Sequence, residues 1–126
     1  MIAHVTVPVK DYAKAKALYA AMLTPVGYKL TADHPDWKAG GFMEGGHTSF
    51  WIAEKKEMEP THVAVLAESK EAVQEFYAKA IETGAKDNGG PGFRTEYSPE
   101  YYAAFVLDDD GNNIEACYFG EKAPGK

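Results

Sequence analysis

His62-Val-Ala-Val65 repeats, 58 residues on, the pattern of His4-Val-Thr-Val7. In both, valines alternate with small or polar residues, so each reads as a strand with one apolar face and its histidine on the other. The correspondence continues downstream at the same offset. Asp11 falls on Ser69, and Ala15, Leu18, Tyr19, Met22 and Leu23 fall on Val73, Phe76, Tyr77, Ala80 and Ile81. Each set of five has the i, i+3, i+4, i+7, i+8 spacing of one helical face. Asp11 and Ser69 are suitable N-caps, because their side-chain oxygens can accept from free first-turn amides. Gly27 and Gly84 follow the two helices, where a left-handed residue is wanted. Cap, helix face and preceding strand match in one register, which marks a duplication.

Working outward, three strands are expected after the first helix, near 27–33, 39–44 and 47–54. Three more follow the second, about 85–88, 101–108 and 112–119, with Asn88-Gly-Gly-Pro-Gly92 as a loop between them. Asp108-Asp-Asp-Gly111 reads as the hairpin turn before the last strand. Each half is therefore βαβββ and the fold class α+β. Residues 1–126 form one domain, with repeat 1 at about 2–58 and repeat 2 at about 60–120. A sheet with one helix leaves its other face bare, and two such halves can curl those faces into a half-open barrel cavity. The Glu121–Lys126 tail is expected to fray.

Composition narrows the function classes. The net charge of −6 with a single arginine, Arg94, argues against nucleic acid. No apolar run reaches the ~18 residues a membrane span needs. The lone cysteine, Cys117, cannot form an internal disulfide, so a reducing, cytoplasmic setting is expected.

The chemistry concentrates at three positions. His4 and His62 head equivalent strands and face away from the helices. In the last strand Ile114, Ala116 and Tyr118 share one face, and Asn113, Glu115 and Cys117 share the other. If Ile114 packs on its helix, Glu115 points with the histidines into the cavity. Two imidazoles and a carboxylate form a plausible divalent-metal site with open positions. Trp51, Tyr102, Phe42, His47 and Arg94 are the candidate substrate-binding residues, the first two as cavity aromatics and Arg94 as a grip for a carboxylate or phosphate. Trp37 and Tyr101 are further aromatic candidates, although aromatics at strand spacing usually belong to cores. Cys117 reads as a buried, inert thiol. Gly89-Gly-Pro-Gly92 lacks the spacing and lysine of a P-loop, and Asp108–Asp110 lacks the ligand spacing of a calcium loop.

With these residues in view, the chain resembles the glyoxalase/bleomycin-resistance/dioxygenase group, the vicinal-oxygen-chelate superfamily. The resemblance covers roughly residues 2–119. It is carried by the βαβββ duplication, the strand-leading histidines and the segment Tyr101-Tyr-Ala-Ala-Phe-Val-Leu-Asp-Asp-Asp-Gly-Asn-Asn-Ile-Glu115. It implies a metal held by His4, His62 and Glu115, with Fe, Mn, Zn, Ni or Co all compatible, a small-molecule substrate with vicinal oxygens, and a homodimer. The cavity could form within one chain or by domain swapping. One position departs from the glyoxalase I pattern: Trp51 falls where those members carry a second glutamate. Glu44 and His47 are the nearby substitutes for the missing base. Three ligands still resemble extradiol-type dioxygenases, for which His47 and Tyr102 would serve as second-shell groups. Fosfomycin-resistance-like transferases share the triad, but a phosphonate would want more cations than Arg94 alone. The alternative implied by the same likeness is a metal-free binding protein that sequesters its ligand. A module with a filled cavity is the third reading.

Overall fold

The computed structural model describes residues 2–125. The first half runs β1 (Val5–Val9), α1 (Tyr12–Leu23), β2 (Lys29–His34), β3 (Ala39–Glu44) and β4 (His47–Glu54). The second runs β5 (His62–Leu66), α2 (Lys70–Glu82), β6 (Lys86–Asp87), β7 (Gly92–Phe93), β8 (Tyr102–Leu107) and β9 (Asn113–Tyr118). The first sheet has the order β1-β4-β3-β2, and the second β5-β9-β8-β6, with β7 also on β8. In each, the half's first strand lies parallel to its last and the other pairings are antiparallel.

Both helices start as their sequence dictates. The Asp11 side chain accepts from the amide of Lys14 at 3.2 Å, and Ser69 from that of Ala72 at 3.0 Å. Helix α1 buries Ala15, Leu18, Tyr19, Met22 and Leu23. Helix α2 buries Val73, Phe76 and Ala80, but Ile81 is partly exposed. Pro25 converts the end of α1 into a 3-10 turn, Thr24–Val26, which Gly27 closes with φ 96°. Only a residue without a Cβ adopts that φ at no cost.

The strand expected at 85–88 is the short β6, and a further short strand, β7, follows the expected loop. Asn88–Pro91 bulges out between β6 and β7, both of which pair with β8. The loop is pinned there, with Asn88 N donating to Phe105 O at 3.0 Å and Phe105 N to Gly89 O at 2.8 Å. The tail is not frayed over its described residues. Lys70 pairs with Glu121 at 2.5 Å, and Ala123 N donates to Pro99 O at 2.8 Å. Lys126 lies outside the described residues.

The halves meet where α1 packs against α2. Beside that contact, the turn between β8 and β9 buries a polar network. Asp108 Oδ2 accepts from Tyr19 OH at 2.7 Å and Asn112 Nδ2 at 2.8 Å, while Oδ1 accepts from the amides of Asp110 and Asn112, each at 2.9 Å. Asn112 also donates to Pro8 O at 2.8 Å and accepts from Thr61 N at 2.9 Å. Both strands that carry a strand-leading histidine are thus tied to one turn. Buried polar groups of this kind persist because their partners are complete.

Candidate functional site

Each sheet keeps one face on its helix and leaves the other open, and strand parity decides what the open face carries. In the second half that face shows His62, Glu115, Phe105 and Tyr101. Glu115 is only 2% exposed, yet neither the core nor the seam uses it. Its Oε1 lies 2.9 Å from Nε2 of His62, and its Oε2 accepts from the hydroxyl of Tyr101. A carboxylate oxygen only accepts, so the first contact needs the proton on Nε2. Burial first, and then the bond to Glu115, hold the Tyr101 hydroxyl well above the usual tyrosine range. Tyr101 therefore stays a donor. The rings of Tyr97 and Phe119 pack edge-on against it, 5.1 and 4.9 Å away. Burial, with a smaller push from Glu115, raises the Cys117 thiol to about 11, and its Sγ points to Val65 O. It is inert at neutral pH, as expected.

The first half places His4 on a separate cleft of about 450 Å³, lined also by Thr6, Ala39, Thr48, Trp51 and Ala53. Trp51 stands beside Thr6 in the ladder, as Glu115 stands beside Ala64. This register makes Trp51 the structural counterpart of Glu115, as the sequence alignment has it. Its indole lies parallel to the His34 ring at 6.3 Å, and His34 packs in turn on the exposed Trp37 at 4.4 Å.

The structure therefore brings His62 and Glu115 together and sets His4 elsewhere. Among the described residues, no three His, Cys, Asp or Glu side chains gather into a metal-sized cluster. The other candidates divide. Trp51 lies on an open face. Arg94 lies in the cleft beside Phe105, its guanidinium held by carbonyls of its own loop. His47 is tied to the chain's start, with Nε2 2.8 Å from Ala3 O. Glu44 borders a different cleft, near Gly27 and Ser69.

Tyr102 and Phe42 do not reach an open face. Tyr102 shares its parity with Ala104 and Val106, so it faces α2 and its hydroxyl accepts from Gln74 at 2.9 Å. Phe42 is fully buried against Phe50 in the core under α1. Sequence reasoning preferred Tyr102 to Tyr101. The alternation through Ala103, Ala104, Phe105 and Val106 was the signal that separates them, but two alanines carry little of it. Phe105, which crosses from Glu115 in the ladder, went unnoticed.

The small hollow at the seam, bordered by Asp11, Leu18, Gly84 and Asp109, has room for about 40 Å³, enough for water only.

The family model of the Glyoxalase/Bleomycin resistance protein/Dioxygenase superfamily matches residues 1–116. The chain belongs to this superfamily. Solved glyoxalase/bleomycin-resistance-type structures share its fold. A glyoxalase/bleomycin resistance protein from Albidiferax ferrireducens T118 is 27% identical, with a TM-score of 0.79 over 92% of this chain and 97% of that one. The genomically encoded fosfomycin resistance protein FosX of Listeria monocytogenes is 20% identical, with a TM-score of 0.70 over 94% and 92%. A mutant of that FosX, solved with Mn(II) and 1S,2S-dihydroxypropylphosphonic acid, has a TM-score of 0.67 over 93% and 88% at the same identity. No curated protein sequence matches. No helix among the described residues is long and apolar enough to cross a membrane.

Proposed function

We propose that this superfamily member is a metal-dependent enzyme acting on a small molecule with two neighbouring oxygens. The observation that carries this reading is Glu115, a buried carboxylate on an open sheet face, held by His62 on one oxygen and by Tyr101 on the other. An imidazole nitrogen beside a carboxylate oxygen suits Fe, Mn, Zn, Ni or Co. A hydroxyl that fixes the carboxylate's second oxygen is the outer support such ligands need. A bound divalent metal would supply Lewis acidity and a template for paired substrate oxygens. The chain's own part is to orient: Tyr101 holds Glu115, and Phe105 packs beside His62 at 6.2 Å. Trp51 in place of a second carboxylate removes the base that a glyoxalase I isomerisation would use. Lyase, transferase or dioxygenase chemistry fits the donor set better.

His4 completes the ligand set from a second copy in a homodimer, where each open face covers its counterpart's. The FosX mutant of similar fold is complexed with Mn(II), which supports a metal here. The single, buried Cys117 suits a cytoplasmic setting.

Elemental analysis of protein purified without a metal-affinity tag tests this, alongside His4→Ala and His62→Ala. About one equivalent of transition metal per chain is expected in the wild type, and next to none in either variant. Refolding the two variants together should restore about a quarter of the sites, because a mixed two-fold dimer rebuilds one intact site. No metal in the wild type, even after reconstitution, would overturn the reading. Ligand binding that survives a chelator would then make it a sequestering protein. Metal retained by His4→Ala would remove His4 from the site.

A further inference from the structure

Arg94 is the only arginine in a chain with 19 acidic residues. Among the described residues it nevertheless forms no ion pair. Its loop holds it instead: Nη1 donates to Gly92 O at 2.9 Å and Nη2 to Gly90 O at 2.7 Å. The guanidinium carbon stands 5.4 Å from the centre of the Phe105 ring. Glycines make this approach possible, since a Cβ at Gly89 or Gly92 would come within 3.1 or 3.2 Å of the guanidinium nitrogens. Carbonyls and a ring face orient a cation without neutralising it. Two of five N–H groups are used, and the rest of the planar fork stays free.

Arg94 borders a cleft of about 270 Å³ that it shares with Glu96, Tyr97, Phe105 and Asn113. Asn113 Oδ1 is the one buried side-chain polar atom among the described residues that lacks a hydrogen-bond partner. A buried acceptor left unpaired is destabilising, so a donor that reaches it is gained at little cost. Asn113 is also the ladder partner of His62, so the cleft adjoins the proposed metal centre at one strand spacing, about 4.8 Å.

We infer that this cleft binds a small hydroxycarboxylate, with the carboxylate on Arg94 and the hydroxyl on the Asn113 amide. The hydroxyl suits either orientation of that amide, because it both donates and accepts. One cation flanked by Glu96 favours a monoanion over phosphate. The cleft's size limits the ligand to a few carbons. That this ligand is the substrate rests on the metal-enzyme reading. The binding itself needs no metal.

The test is NMR titration of chelator-treated and metal-reconstituted protein with lactate, propionate and inorganic phosphate, with metal content measured on each sample. Lactate should bind the chelator-treated wild type and shift the Arg94 Nε–H resonance. Propionate, lacking the hydroxyl, should bind several-fold more weakly, and phosphate no better than propionate. Arg94→Gln should weaken lactate at least ten-fold, and Arg94→Lys nearly as much, with one cooperative melting transition and unchanged metal content. Asn113→Ala should erase the preference of lactate over propionate. Equal lactate affinity in wild type and Arg94→Gln, no lactate preference in the wild type, or no binding of lactate at all would overturn the inference. A protein that takes up no metal but still binds lactate through Arg94 would sink the metal-enzyme reading and leave this subsite standing.

Discussion

Gly41 beside Trp51 in the first half occupies the place in the ladder that Phe105 beside Glu115 occupies in the second. In the first pair the bulk sits on the half's last strand, and the neighbour has shrunk to glycine to admit it. A Cβ on Gly41 would stand 2.8 Å from the Trp51 indole and 2.5 Å from Thr48 Cγ2. In the second pair the ring has moved one strand over, and the freed position carries a carboxylate. The pair's bulk is roughly kept across the duplication while its chemistry is not. One half presents an aromatic face built from Trp51, His34 and Trp37, and the other a polar one built from Glu115, His62, Tyr101 and Arg94. A duplicated scaffold determines where a side chain points and leaves open what it holds.

The two halves are variants joined into one cooperative unit, and the seam is where that unity can be broken most severely. Asp108→Ala removes the acceptor of four hydrogen bonds at the seam, including that of Tyr19 from the other half. A loss of about 3 kcal/mol or more is expected in chemical denaturation, within one transition. Two separate transitions would show that the halves fold independently. A smaller effect sharpens the exchange of bulk. Gly41→Ala should cost about 1–3 kcal/mol by overpacking, and distinctly less in a Trp51→Ala background, where part of the clash is gone. Identical costs in both backgrounds would mean that Trp51 does not set the size of residue 41.

The smallest expected effect concerns tyrosines that each half ties to a carboxylate. Tyr12 donates to Asp33 within the first half, Tyr101 to Glu115 within the second, and Tyr19 to Asp108 across the seam. Burial first, and then the carboxylate, hold all three hydroxyls well above the ordinary value of 10.0; for Tyr19 the charge of Asp108 precedes its hydrogen bond. The folded state thus keeps these protons where the unfolded chain would lose them. Their stabilisation is complete below about pH 10 and declines as the pH rises above it. The melting temperature should fall steeply above pH 10, and Tyr101→Phe should make that fall shallower. A slope unchanged by Tyr101→Phe would remove the second half from the comparison.

Much of this was legible in the chain. Asp11 and Ser69 announced helix starts, the five-residue apolar sets announced the buried faces, and Val5, Val7, Val63 and Val65 announced which way His4 and His62 look. The alternation of Ile114 and Ala116 with Glu115 put the carboxylate on the open face. These are local periodicities, and local sterics enforce them. The misreadings arose where the pattern is weak or long-range. Ala103 and Ala104 mark no face clearly, so Tyr102 was preferred to Tyr101. Phe42 looked like a cavity aromatic because nothing in β3 says that Phe50 and α1 will cover it. The docked tail depends on Pro99 and Lys70, partners distant in sequence.

By itself the sequence determined the duplication, the order of elements and the face on which each histidine and Glu115 stands. Period-two alternation decides a side chain's direction whatever the rest of the fold does. Only the tertiary structure decided which of them meet. The parallel pairing of β5 with β9 set His62 against Glu115, and β1 beside β4 left His4 on the first half's cleft with Trp51. That outcome depends on the pairing of strands about fifty residues apart, an energy spread over whole sheets and encoded in no single motif.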